Sequence, residues 1–121
     1  MLDDAEVLRI WGQVNAAFNS GDLDTFMSFA ADNMTAMASD VYMGSPAEFK
    51  AAAENGRKNG WTEQHMISVS ARSNILAARY YNVFANGART EGAGVVLFND
   101  DGKIVSVRTV NNSGATPMKP S

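Results

Sequence analysis

The side chains able to move a proton near neutral pH are few, because the chain has one histidine and no cysteine. His65 is the natural general acid or base, since imidazole alone has an unperturbed pKa in that range. Asp40 and Tyr42 stand at alternate positions, so a strand there would carry a carboxylate and a phenol on one face. The first could exchange a proton and the second could polarise a carbonyl. Asn15, one helical turn beyond Trp11, flanks an apolar helix face and could hydrogen-bond a ligand. Trp61 follows the helix stop Gly60 and could roof or plug a cavity. Without cysteine there is neither a disulfide nor a thiolate nucleophile, and a single imidazole leaves no set of zinc ligands. No carboxylate cluster has the spacing of a divalent-metal site, so no metal is expected. Gly92-x-Gly94 lies inside a strand pattern and opens no helix, which excludes a dinucleotide loop. Gly44-Ser45-Pro46 is a helix cap and not a nucleophile elbow. No cofactor is expected.

The elements that must position these groups are legible from periodicity. Asp3-x-x-Glu6 reads as a capping box, and Val7, Ile10, Trp11, Val14, Ala17 and Phe18 follow at helical spacing, predicting a helix over about 4–19 that stops at Gly21. Asp22 can cap a second helix ending near Asp32, and a short strand over 34–38 follows, with a loop or second short strand through 40–44. Ser45-Pro46-x-Glu48 starts a third helix that ends by Gly60. From Glu63 onward the period changes to two. It predicts strands over 65–73, 75–84, 89–98 and 103–111, with Asn86-Gly87 turning one hairpin and Gly102 another. The β-branched pair around Asn99-Asp100-Asp101-Gly102 belongs at the heart of a sheet. Helices first and an antiparallel meander afterwards make an α+β domain over 1–112, followed by a tail over 113–121 too poor in apolar residues to fold alone.

The 121-residue chain is 45% hydrophobic and 19% charged, an ordinary globular mix for one domain. Its net charge of −3 argues against nucleic-acid or anionic-membrane partners, and no apolar run approaches a membrane span. The acidic first residues are unlike a secretory signal. A cytoplasmic protein is expected.

Two blocks resemble the NTF2-like superfamily: Ala16-Ala-Phe-Asn-Ser-Gly-Asp-Leu-Asp-Thr-Phe26 with Phe29-Ala-Ala-Asp-Asn-Met-Thr35, and the closing Phe98-Asn-Asp-Asp-Gly-Lys-Ile-Val-Ser106. The chain is most similar to the SnoaL-like polyketide cyclase and ketosteroid isomerase groups. The resemblance implies a cone-shaped α+β barrel, with three helices packed on a curved, mainly antiparallel sheet. It does not carry over the ketosteroid isomerase residues. Counted from these two blocks, that mechanism's tyrosine, base and second acid fall on Val14, Ala38 and Gly94. Asp40, two residues past the vacant base position, becomes the best remaining acid or base.

If the cone carries over, Gly92, Gly94, Val96 and Phe98 face inward on one strand, and Val107, Thr109 and Asn111 on the last. The two glycines would then widen the cone, unless they mark a bulge or bend. Aligning on the closing hairpin also points Arg79 and Tyr81 inward, although one bulge would reverse them. A homodimer is implied through the outer sheet face, with Tyr80, Asn82, Phe84, Val95 and Leu97 contributing. The reading is a cofactor-free acid/base enzyme, an isomerase, lyase or cyclase acting on a small apolar, aromatic or polyketide-like substrate. Asp40, His65 and Tyr42 would be its catalytic groups. Asn15, Trp61, Arg79, Tyr81, Gly94, Phe98 and Asn111 would bind the substrate. The alternative is a non-catalytic ligand-binding or protein-interaction domain.

Overall fold

The computed structural model describes residues 1–111; the tail expected over 113–121 lies outside the described residues. The element order is α1 (Asp4–Ser20), α2 (Leu23–Met27), β1 (Ala30–Ala38), β2 (Val41–Met43), α3 (Pro46–Lys58), β3 (Trp61–Arg72), β4 (Ile75–Phe84), β5 (Arg89–Phe98) and β6 (Ile104–Asn111). One six-stranded sheet runs β2-β1-β6-β5-β4-β3, antiparallel except where β1 meets β6. It is curved and unclosed, and its inner side, roofed by the helices, makes a cone-shaped α+β fold.

Helix α1 buries Val7, Ile10, Val14, Ala17 and Phe18, the stripe its sequence spacing demands. It ends in a Schellman motif: Gly21, at φ +81°, donates to the Phe18 carbonyl and Asp22 to the Ala17 carbonyl. Arg57 of α3 completes that end, donating to the Phe18 carbonyl at 2.6 Å and to the Thr62 carbonyl at 3.1 Å. One guanidinium thus ties α1 and α3 to the start of β3, at the helix end where the dipole favours a cation. Ser45 and Glu48 form the expected box on α3, with Glu48 N–H donating to Ser45 Oγ and Gly44 N–H to Glu48 Oε1. The Asp3 side chain makes no cap bond.

The second helix is shorter than its pattern predicts. It stops at Met27, and β1 begins at Ala30 instead of after Asp32. The cause is tertiary. Ala30 registers beside Ile104 and the Ile104 N–H donates to the Phe29 carbonyl at 2.7 Å, so the parallel β1–β6 pairing claims residues a helix could have used. The β5–β6 hairpin lies at the centre of the sheet. Its turn has Gly102 at φ +80° packed beneath Ile10, and Asn99 Oδ1 accepts from the N–H groups of Asp101 and Lys103.

The largest departure concerns β4. A two-residue Asn86-Gly87 turn would set Arg79 opposite Gly94 and Tyr81 opposite Gly92, on the inner face. The hairpin instead has a three-residue turn. The Phe84 N–H donates to the Ala88 carbonyl, the Gly87 N–H donates to the Phe84 carbonyl, and Gly87 sits at φ +88°. That single extra residue shifts the register so that Tyr80 opposes Gly92 and Ala78 opposes Gly94. Every side chain of β4 changes face. Tyr80, Asn82 and Phe84, expected on the outer face, are buried, whereas Arg79 and Tyr81 point outward.

Gly92 has a structural task in this arrangement. A Cβ there would lie 2.6 Å from Asn111 Oδ1 and 2.7 Å from the Tyr80 hydroxyl, so the missing side chain is space taken by Tyr80 and not room for a ligand. Gly92→Ala is expected to destabilise the protein by about 1–3 kcal/mol, the usual cost of overpacking. Equilibrium urea unfolding would measure it, and a loss below about 0.5 kcal/mol, typical of unconstrained surface sites, would contradict it.

Candidate functional site

Between the helices and the inner sheet face lies a cavity of about 290 Å³. Apart from Asn15 its helical wall is apolar, with Val14 and Phe18 from α1, Phe26 and Met27 from α2, and Phe49 and Ala53 from α3. Phe18, Phe26, Phe49 and Trp61 form a continuous ring cluster at one end, with centroids 4.4–5.7 Å apart. The sheet wall contributes Met34, Ala36 and Ala38 from β1, Gly94 and Val96 from β5, and a diagonal of neutral polar groups.

That diagonal runs Gln64, Asn82, Tyr80, Asn111 across β3, β4 and β6. The register makes it continuous, since Gln64 opposes Asn82, Tyr80 opposes Gly92, and Gly92 opposes Asn111. Asn82 Oδ1 accepts from Trp61 Nε1 at 2.9 Å and Gln64 Nε2 at 3.1 Å, while Asn82 Nδ2 donates to Thr90 Oγ1 at 3.0 Å. Asn82 and Thr90 are both buried, which makes these bonds obligatory. Gln64 is also fixed through its backbone. The Asn19 side chain accepts from the Gln64 N–H and donates to its carbonyl, standing in for a neighbouring strand at the β3 edge. Tyr80 donates to Asn111 Oδ1 at 3.2 Å.

Burial holds the Tyr80 phenol above its ordinary value, with a Thr109 hydrogen bond offsetting part of the effect. A pKa raised on folding gives stability that is complete below the ordinary value of 10.0 and is lost as pH rises through the folded value. Alkaline unfolding above that pH is therefore expected to be steeper in the wild type than in Tyr80→Phe. Coincident pH profiles would contradict this.

The sequence-predicted residues divide into two sets. Asn15, Trp61, Gly94 and Asn111 line the cavity together, as do Val14, Ala38 and Gly94, the positions that fell on the ketosteroid isomerase residues. The others lie elsewhere. β1 ends at Ala38, and Ser39-Asp40 is a two-residue turn with Ser39 at φ +55°, so Asp40 sits exposed at a hairpin tip, off the inward face. Tyr42 is 58% exposed. His65 opposes Tyr81 on the outer face and bonds Glu63 Oε1 at 2.6 Å. Arg79 pairs with Glu91 at 3.0 Å, both more than half exposed, and Tyr81 lies under the Arg89 guanidinium. Phe98 faces inward but is packed in the hydrophobic core beside the cavity. Asp40, His65 and Tyr42 are thus not brought together, and none reaches the cavity wall. Among the described residues, the cavity lining contains no carboxylate, imidazole, ammonium or guanidinium. No three His, Cys, Asp or Glu side chains gather to hold a metal ion among those residues.

Sequence reasoning missed Gln64, Tyr80 and Asn82. The available signal was charge parity. Arg79, Glu91 and Arg89 share one face across β4 and β5, which is the solvated one, leaving Tyr80, Asn82 and Thr90 for the interior.

No protein-family profile and no curated protein matches the sequence. Solved structures do. An NTF2-like protein of unknown function from Cytophaga hutchinsonii superposes with a TM-score of 0.76 at 12% identity, covering 88% of this chain and 89% of that one. A protein assigned as a polyketide cyclase from Xanthomonas campestris gives 0.76 at 18% identity, with 90% and 92% covered. A protein assigned as an isomerase of the SnoaL-like family from Agrobacterium tumefaciens gives 0.74 at 17% identity, with 90% and 99% covered. The chain has the NTF2-like fold, which hosts unrelated functions and leaves this one to be argued from the site.

Proposed function

We propose that the protein binds a small, neutral, largely apolar or aromatic molecule in the cone. One observation carries this reading: the cavity has a ring-rich helical wall, apolar except for Asn15, and every polar group on either wall is uncharged. Such a site desolvates a neutral ligand at little cost, while an ion would enter without a counter-charge. The wall has a phenol, which gives its proton to Asn111 Oδ1 and could give it to a substrate carbonyl once that amide turns its nitrogen to the phenol oxygen, and this favours the second reading, a proton-transfer enzyme of the isomerase, lyase or cyclase kind. Tyr80 would hold the substrate oxygen there, and the base would come from outside the cavity lining. Asp40 or His65 could serve only after a movement of its strand or turn. The binding reading needs no such movement.

The proposal extends to a cytoplasmic homodimer through the outer sheet face. Ile75, Val95 and Val110 are 42–68% exposed, and Val95 and Val110 lie on that face. No helix among the described residues is long and apolar enough to cross a membrane. Native mass spectrometry of the purified protein, followed by a denaturing run, tests the function. A neutral molecule released on denaturation supports the reading. An empty protein that also shows no thermal shift with neutral aromatic and polycyclic compounds overturns it.

A further inference from the structure

The amide groups of the cavity are held one way round, and an indole sets the direction. An indole N–H can only donate. Because Trp61 Nε1 donates to Asn82, the atom facing it is the amide oxygen, Oδ1. The Asn82 nitrogen is then turned to Thr90 Oγ1. Gln64 meets the same Asn82 oxygen and has to present its own nitrogen, Nε2, to it. The other end of that amide, Gln64 Oε1, has no partner among the described residues, and Gln64 lines the cavity. Turning the chain of amides around would aim the Asn82 NH2 at the Trp61 N–H, two donors facing each other at a residue that is 3% exposed.

We infer that Gln64 Oε1 selects the ligand, so that the cavity takes a neutral, apolar frame bearing a hydroxyl or N–H donor. Trp61 and Asn82 are positioning residues that hold the glutamine with its acceptor free. This rests on the binding reading above and narrows its ligand class. Asn15, on the helical wall, also has no partner among the described residues but offers both donor and acceptor, so it imposes no choice. The Tyr80–Asn111 pair is not locked in this way: Tyr80 donates to Asn111 Oδ1, but with that amide turned round the phenol accepts from Asn111 Nδ2 equally well.

The test compares 2-naphthol with 2-methoxynaphthalene, which keeps the ring frame and the oxygen but has no proton to donate. Affinities are measured by calorimetry near neutral pH, where both are uncharged. The wild type is expected to prefer the naphthol by about tenfold, the scale of one well-made hydrogen bond in a dry site. Gln64→Leu should bring the ratio close to one. Trp61→Phe, which releases Asn82 and Gln64 to rotate, should lower the ratio while both compounds still bind. The ratio within each protein removes differences of size and stability that a merely structural role would produce. Equal wild-type affinities overturn the inference and leave the cavity reading standing, as does a preference that survives unchanged in Gln64→Leu. Binding of neither compound overturns the cavity reading itself. If Trp61→Phe fails to fold, the Gln64→Leu comparison still decides.

Discussion

Asn82→Ala is expected to cost about 3 kcal/mol or more, close to the exceptional end for a single substitution. The side chain is 3% exposed and satisfies three partners at once: the Trp61 N–H, the Gln64 amide and the Thr90 hydroxyl. Truncation leaves a donor-only indole facing a small void, and it strands Thr90, which is 0% exposed. Each buried group left unpaired costs roughly 1–3 kcal/mol, so the sum exceeds the loss of any one bond. Thr90→Val removes a single partner while keeping the volume and should cost about 1 kcal/mol. Equilibrium denaturation followed by tryptophan fluorescence reads both. An Asn82→Ala loss no larger than that of Thr90→Val would mean that the network does not act as a unit.

Ala38→Asp should produce the second large effect. It places a carboxyl on the cavity wall, at the position where the ketosteroid isomerase base aligns, with no cation in the lining to stabilise its charge. Desolvation should raise its pKa by about 1–3 units above the ordinary aspartate value. The sign follows from linkage. The folded state binds the proton more tightly than the unfolded state, so relative stability is greatest below the unfolded pKa and falls as pH rises through the folded one. The variant should therefore be about 1.4–4 kcal/mol less stable at neutral pH than at acidic pH, relative to wild type. Carbon NMR of the labelled carboxyl gives the pKa directly, and an unshifted or lowered value would mean that the site is wetter or more positive than its lining indicates.

The sequence made the architecture readable because its markers are geometric necessities. Gly21 and Gly102 occupy positive φ, Ser45-Pro46 opens α3, and the apolar stripe of α1 has one possible orientation. The candidate site was less readable, because it depends on register. The segment Phe84-Ala85-Asn86-Gly87-Ala88 suits a two-residue or a three-residue turn, and the choice decides whether Arg79 and Tyr81 or Tyr80 and Asn82 enter the cone. Asp40 was misplaced for a related reason, since nothing in Ala38-Ser39-Asp40-Val41 says that the strand reverses at Ser39 rather than running on. Positions defined by a helix face, such as Asn15, or by a strand whose parity the closing hairpin anchors, such as Gly94 and Asn111, did reach the cavity wall.

The most direct test of the central claim is a calorimetric titration with two bicyclic aromatic compounds of matched size, one a neutral alcohol and one a carboxylate. A cavity walled by rings, methyls and uncharged amides should bind the alcohol saturably, and the carboxylate at least about tenfold more weakly, because the ion gives up its water for no counter-charge. A carboxylate that binds as tightly as the alcohol, or more tightly, would contradict the account.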